Sequence, residues 1–177
     1  MTLARERGFT LIEILVVVAI VGIVAVIATP ELVRARIAGN EASAIASLRA
    51  VHSGQSTFAS SCARGGYAQS LDDLAAPPGG SGPGFISPDI AANGVLKSGY
   101  VLNVRPSAVI EVVTDRASVC NAPAADALSS YFAEAHPTSV GSSGQRSFAI
   151  DQRGTMFQEL SGVTLTPALP ATATPVQ

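Results

Sequence analysis

Charged residues, aromatic side chains and histidine are all scarce in this chain of 177 residues. Charged residues make up 14% and aromatic residues 5% of the sequence, and there are two histidines and no tryptophan. The formal net charge of -2 provides no basic excess for sequence-independent binding of nucleic acid, so that class of function is not indicated. The length allows one modest globular domain and an additional short segment, but not a second domain of enzyme size.

Residue patterns typical of enzymes are also missing from the sequence. The two histidines, His52 and His136, are interpreted as surface or structural residues. There is no Gly-x-Ser-x-Gly motif, and the glycine-rich stretch 77–84 lacks the Gly-Lys-Ser/Thr of a phosphate-binding loop. The adjacent Asp72 and Asp73 are better explained as acids at the start of a helix than as a catalytic pair. The sequence therefore predicts no enzymatic activity, no cofactor and no metal site.

The two cysteines, Cys62 and Cys120, lie far apart and have neither Cys-x-x-Cys spacing nor a neighbouring histidine. A metal site or a thioredoxin-like motif is therefore not indicated, which leaves a disulfide or two separate thiols. A bridge is favoured if this part of the chain is exported to an oxidising compartment. Closing a loop of about 60 residues would stabilise the domain by about 4 kcal/mol on the loop-entropy account.

The long aliphatic residues are concentrated in the first thirty positions. From Phe9 to Ala28 the chain is almost entirely apolar over about 20 residues, the length that spans a bilayer as a helix. Arg5 and Arg7 precede this stretch and favour a cytoplasmic N-terminus, with the rest of the chain facing outward. Glu13 is the one charged residue inside it, and a carboxylate in hydrocarbon is costly without a partner. Glu13 is therefore a candidate functional residue, unless it merely reaches the headgroup water.

Gly8 and Phe9 form a possible cleavage point, because Phe9 lies four residues before Glu13, about one helical turn away. Cleavage between them would create a positively charged amine within reach of the Glu13 carboxylate. The alternative is an ordinary secretory signal peptide cut after Val26-Ile27-Ala28, which would release a soluble binding module beginning at Thr29. The charge of Glu13 within the apolar core argues against that alternative.

Gly8 followed by Phe9-Thr10-Leu11-Ile12-Glu13 and an unbroken apolar run resembles the processing signal of type IV prepilins and type II secretion pseudopilins. The resemblance implies that prepilin peptidase, a membrane-embedded aspartyl peptidase, cuts between Gly8 and Phe9 and that Phe9 is then N-methylated. It also implies an assembly role for Glu13, whose carboxylate pairs with the N-terminal amine of a neighbouring subunit.

The same resemblance implies a function, partners and a location. The chain would be a structural subunit that self-associates into a helical filament with the help of the pilus or type II secretion assembly machinery. Before assembly it would cross the lipid of the inner membrane once, with its globular domain outside the cytoplasm, and afterwards lie in a pilus or periplasmic pseudopilus. Pro30 falls where many family members carry a helix-kinking proline, although it could instead begin a second helix.

The remainder of the sequence predicts an α+β fold. Apolar residues recur at helical spacing from 31 to about 60, so one long helix should run from Phe9 to Ser60, with its outer half packed against a small antiparallel sheet of about four strands. Strand candidates are 99–104, 109–114, 130–135, 147–150 and 155–159. The predicted segments are a leader (1–8), a transmembrane or filament-core helix (9–29), the outer half of the helix (30–60), a sheet domain (61–160) and a flexible Thr/Pro/Ala-rich tail (161–177).

Overall fold

The structure is a computed structural model that describes residues 9–108 and 110–176. The predicted leader 1–8, which includes Gly8, lies outside the described residues. The chain divides into two compact units, Met1–Arg36 and Ile37–Gln177. A long helix, α1 (Leu11–Ser61), contributes to both units, and a short helix, α2 (Leu71–Ala75), follows it. Three single turns of 3₁₀ helix lie at Pro78–Gly80, Pro88–Ile90 and Arg116–Ser118.

Helix α1 continues through Pro30, so the alternative that Pro30 begins a second helix is wrong. Proline has no N–H to donate to the carbonyl of the preceding turn, which locally weakens the helix. The residue before it, Thr29, donates a hydrogen bond from its hydroxyl to the carbonyl oxygen of Ala25, one turn back in the helix, at 2.7 Å. That Pro30 kinks the helix stays a prediction.

The main sheet has six antiparallel strands in the order β1-β2-β5-β6-β7-β8, and a separate pair of strands, β3 and β4, forms a two-stranded sheet. The strands of the main sheet are β1 (Val95–Lys97), β2 (Tyr100–Arg105), β5 (Phe132–Pro137), β6 (Ser147–Asp151), β7 (Met156–Glu159) and β8 (Thr174–Pro175). The small sheet pairs β3 (Val112–Thr114) with β4 (Ala127–Leu128).

An α+β fold with a long helix packed on an antiparallel sheet is confirmed, but the main sheet has six strands rather than about four. The strands that the sequence does not indicate are β1, β4 and β8, each two or three residues long. Strands this short contain too few residues to show an alternating apolar pattern. Their pairing depends on the neighbouring strand, which the local sequence does not reveal. The candidate 109–114 also differs, since its observed strand begins at Val112 and pairs outside the main sheet.

The hydrophobic core lies between the later part of α1 and one face of the main sheet. Leu48, Val51 and Phe58 of α1 are at most 1% exposed and belong to the same buried cluster as Ala133 and Ala135 of β5. The two alanines lie two residues apart and therefore point to the same face of the strand.

The predicted disulfide is confirmed, and it joins Cys62, the residue after α1, to Cys120 in the connection between β3 and β4. The two Cα atoms are 5.0 Å apart and the bridge closes a sequence separation of 58 residues. The bond thus fixes the end of the helix to the part of the chain that carries the two-stranded sheet.

The C-terminal segment, predicted to be a flexible tail, makes specific contacts with the sheet. Leu165 is 1% exposed and packs with Phe132 and Ala149, and the backbone N–H of Val176 donates to the carbonyl oxygen of Met156 at 2.8 Å. Thr/Pro/Ala-rich composition alone gives no sign of these contacts. The flexibility of the segment stays a prediction.

Candidate assembly site

The first part of α1 is apolar on every side and fully exposed. Its large hydrophobic side chains between Leu11 and Ile27 are 48–84% exposed in the described chain. Soluble monomers rarely expose a continuous apolar surface of this size, and a helix that is apolar all round belongs in a membrane or a larger assembly. These exposed side chains are Leu11, Ile12, Ile14, Leu15, Val16, Val17, Val18, Ile20, Val21, Ile23, Val24, Val26 and Ile27.

Within the described residues α1 is the one helix long and apolar enough to cross a membrane, and the apolar window at its start has no buried residues. A secretory signal sequence near the N-terminus would meet the same criteria of length and composition. The distinction between an anchor and a signal therefore rests on the residues at the start of the helix.

Thr10 forms the N-terminal cap of α1 and thereby determines where Glu13 lies. Its hydroxyl accepts a hydrogen bond from the backbone N–H of Glu13 at 3.3 Å, and its carbonyl oxygen accepts from the N–H of Ile14 at 3.4 Å. The first N–H groups of a helix have no partner within the helix, so this hydroxyl satisfies one of them. The contact places Glu13 in the first turn, where the helix dipole favours a negative charge.

The Glu13 carboxylate itself has no hydrogen bond or ion pair with any residue that the structure describes. Phe9, the residue that cleavage would make the N-terminus, lies just before the helix and is 80% exposed. Both groups lie at the same end of α1 and are accessible. The Glu13 carboxylate is therefore available to a cationic partner outside the described chain.

The predicted site residues fall into two groups. Phe9, Glu13 and Pro30 belong to the first unit, whereas the Cys62–Cys120 bridge belongs to the second. Cleavage after Gly8, N-methylation of Phe9 and the assembly role of Glu13 stay predictions. The sequence interpretation missed the role of Thr10, although a threonine three residues before a glutamate is the spacing of a capping box and could have indicated it.

A charged contact holds the helix and sheet of the second unit together. Glu41 of α1 is 5% exposed and accepts hydrogen bonds from the Arg146 guanidinium at 2.5 and 2.9 Å and from the backbone N–H of Gln145 at 3.0 Å. Burial raises the pKa of Glu41, but the hydrogen bonds from Arg146 and Gln145 outweigh burial and hold it below its ordinary value. The contact keeps the carboxylate ionised in a nearly closed site.

A second buried acid, Glu134 on β5, is fully covered and is also paired. Its carboxylate lies 3.2 Å from the Arg105 guanidinium and 3.0 Å from Nδ1 of His136, and it accepts a hydrogen bond from the Asn103 amide at 2.7 Å. No group of three metal-ligating side chains occurs in the described residues. The partners of Glu134 explain its burial without assigning it a catalytic role.

Residues 3–29 match the protein family described as the prokaryotic N-terminal methylation motif. The chain is also similar to the type IV major pilin protein PilA of Myxococcus xanthus, with 43% identity over 54 residues. That alignment covers 30% of this chain and 24% of the relative, so the chain spans about a quarter of that protein's length. No solved structure matches the chain. The N-terminal segment is thus a prepilin-type methylation motif with a distant match to a type IV major pilin.

Proposed function

We propose that this chain is a structural subunit of a type IV pilus-like filament. The observation that carries the proposal is a single accessible carboxylate, Glu13, in the first turn of an exposed helix that is otherwise apolar over about a bilayer's thickness. The methylation motif over residues 3–29 and the similarity to a type IV major pilin favour this over an ordinary exported module. The segment 9–28, which is apolar apart from Thr10 and Glu13, would anchor the chain in the membrane before assembly.

In the proposed pathway prepilin peptidase cuts the bond between Gly8 and Phe9 and the new amine of Phe9 is methylated. Methylation leaves the amine basic, so it keeps a positive charge at neutral pH. Cleavage also removes the arginines of the leader from the cytoplasmic end of the helix. The mature subunit then has one cation and one anion near the same end of an apolar helix.

Assembly would proceed by neutralising Glu13 with the Phe9 amine of a neighbouring subunit. An ionised carboxylate away from water is costly, and pairing with an amine reduces that cost. The apolar surface of the helix faces all directions, so it can contact several neighbouring helices once it leaves the lipid. A filament core of packed helices would bury the side chains that are exposed in the single subunit.

Two measurements test the processing and the assembly separately. In a host that supplies prepilin peptidase, the mass of the mature N-terminal peptide should correspond to N-methylated Phe9. A mature protein that begins at Thr29 would overturn the proposal in favour of a soluble exported module.

For assembly, Glu13→Ala should reduce incorporation into sedimentable filaments by tenfold or more, whereas leader cleavage should be largely unchanged. The matched control is Glu31→Ala, which removes a glutamate of the same helix that is exposed and paired with Arg34 at 3.1 Å. Normal incorporation of Glu13→Ala into filaments would contradict the assembly mechanism. An equal loss of incorporation with Glu31→Ala would contradict a specific role of Glu13, because any glutamate of the helix would then have the same effect.

A further inference from the structure

The segment 160–176, which we call the strap, crosses the face of the main sheet opposite α1 and returns to its edge. Gly162 lies against Val140 and Pro137 near the end of β5, and Leu165 packs on Phe132 and Ala149. The strap then pairs its residues 174–175 with β7 as strand β8. It therefore covers part of the outer sheet face and completes one edge of the sheet.

The carboxylate of Glu159, at the end of β7, accepts hydrogen bonds near both ends of the strap's path across the sheet. One oxygen, Oε2, accepts from the backbone N–H of Ser161 at 2.7 Å and from the Ser161 hydroxyl. The other oxygen, Oε1, accepts from the hydroxyl of Thr172 at 3.2 Å. Glu159 thus joins the residues that lead into and out of the crossing.

The strap is loosely packed at two places, one between these ends and one beyond Thr172. A cavity of about 260 Å³ lies beside Pro167 and Leu169, and an open cavity of about 570 Å³ lies beside Thr174 and Val176. The hydroxyl of Ser147, which is opposite Glu159 in the sheet and shares its face, is buried without a hydrogen-bond partner among the described residues. Poor packing and an unsatisfied polar atom both reduce the free energy needed for local opening.

We propose that the strap is an acid-released cover, which lifts from the outer sheet face as one segment when Glu159 is protonated while the rest of the unit stays folded. A protonated carboxyl can no longer accept strong charge-assisted hydrogen bonds from both ends of the crossing. Without these hydrogen bonds the strap is held by the apolar contacts of Gly162, Leu165 and Leu169. Strand β8 and the hydrogen bond from the Val176 N–H to the carbonyl oxygen of Met156 still hold its end. This inference does not depend on the filament function.

The direction of the pH dependence follows from the contacts of Glu159. The hydrogen bonds from the Ser161 side chain and backbone, with a smaller one from Thr172, lower the pKa of Glu159 below its ordinary value. Its contribution is therefore complete above the ordinary glutamate pKa of about 4.3 and is lost as the pH falls through the lower value of the folded state. We expect opening below about pH 4.

Other charged groups lie on the sheet face that the strap crosses or beside the two cavities, although the described strap has no ionisable side chain. They are Arg105 on β2, Glu134 and His136 on β5, Asp151 and Arg153 beside one cavity, and Arg146 beside the other. Opening centred near pH 6 would lie well above the ordinary range of a carboxylate and would contradict the assignment to Glu159.

The test is amide hydrogen exchange of the full-length chain in detergent micelles, with rates corrected for the intrinsic effect of pH. At pH 7, Glu159→Gln should increase exchange of peptides from 160–176 by about tenfold and leave β5 and β6 protected. The wild type should show the same selective increase below about pH 4, whereas the variant should respond little to further acidification.

The control is Glu111→Gln, because the exposed side chain of Glu111 has no hydrogen bond to the described residues. It should leave strap exchange unchanged at both pH values. Unchanged protection of the strap in Glu159→Gln would overturn the proposal, as would a midpoint near pH 6 or strap exchange that rises only together with β5 and β6. A second variant, Leu165→Ala, should open the strap at pH 7 while keeping its response to acid.

Discussion

The two parts of α1 belong to the same helix but differ in whether their side chains are exposed or buried. From Leu11 to Ile27 the large side chains are exposed on all sides, whereas beyond Ile37 the helix buries one row of residues that includes Glu41, Leu48, Val51 and Phe58. The first part is rich in branched aliphatic residues, and the second is dominated by alanine, serine and polar residues.

This difference shows that apolar composition and burial are separate properties. The most hydrophobic stretch of the chain contributes nothing to the core of the second unit, and a less hydrophobic stretch provides that core with a narrow row of well-packed side chains. A helix that packs against one partner needs only one apolar face, but a helix that contacts lipid or several copies of itself needs an apolar surface on all sides.

Removing the disulfide should have the largest effect on the second unit. The double variant Cys62→Ser/Cys120→Ser should lower its free energy of unfolding by about 4 kcal/mol, because the unfolded chain regains the freedom of a long loop. Denaturant unfolding monitored by circular dichroism in micelles measures the change. Chemical reduction of the wild type should give a similar loss, and membrane insertion of the first part of α1 should be unaffected. Equal stability with and without the bridge would contradict this prediction.

The same substitution in the two parts of α1 should have different results. Val51→Ala should destabilise the second unit by about 1–3 kcal/mol, because Val51 is 1% exposed and its truncation leaves a cavity. Val18→Ala removes the same atoms from an exposed position and should leave the unfolding midpoint unchanged. Denaturant unfolding measures the stability of both variants. A comparable loss of stability in both would contradict the proposed difference between the two parts of the helix.

The buried pair of Glu41 and Arg146 should contribute less than the core, because the Arg146 side chain is 36% exposed. Glu41→Gln should destabilise the second unit by about 1–2 kcal/mol at pH 7, since it weakens hydrogen bonds to a cation. The pKa of Glu41 is lowered in the folded state, so this contribution should be present above about pH 4.5 and disappear as the pH falls further. Unfolding curves at several pH values measure it. Glu31→Gln, at an exposed pair, should change stability by less than about 0.5 kcal/mol.

The cap at Thr10 should have the smallest effect and should act on the first unit alone. Thr10→Val removes the hydroxyl with little change in shape and should weaken the start of α1 by about 1 kcal/mol or less, whereas Thr10→Ser should retain the cap. The backbone amide signal of Glu13, measured by NMR in micelles, reports the hydrogen bond. A fully helical Glu13 in Thr10→Val would show that the cap is dispensable.

Parts of the fold with a strong local pattern could be predicted from the sequence. The helix was expected from Phe9 to Ser60 and runs from Leu11 to Ser61, and the strand candidate 147–150 corresponds to β6 at Ser147–Asp151. The strand candidate 155–159 likewise corresponds to β7 at Met156–Glu159, which pairs with β6. These elements combine regular apolar spacing with a clear capping or turn residue, so local information is sufficient for them.

Elements that depend on distant partners could not be predicted. The carboxylate of Glu41 contacts residues more than one hundred positions later, and Glu134 gains two of its partners, Asn103 and Arg105, from the neighbouring strand β2. The strap is the clearest case, because its Thr/Pro/Ala-rich sequence has no periodic apolar pattern and Leu165 is buried against Phe132 of β5 and Ala149 of β6.

The sequence by itself therefore determined the prepilin-type N-terminal motif, the apolar helix with its single carboxylate and the α+β class, because each depends on residue types at short spacing. Tertiary structure alone decided the six-strand order, the burial of Glu41 and Glu134, and the path of the strap. The physical reason is that burial and pairing are properties of two surfaces in contact, and the second surface lies far away along the chain.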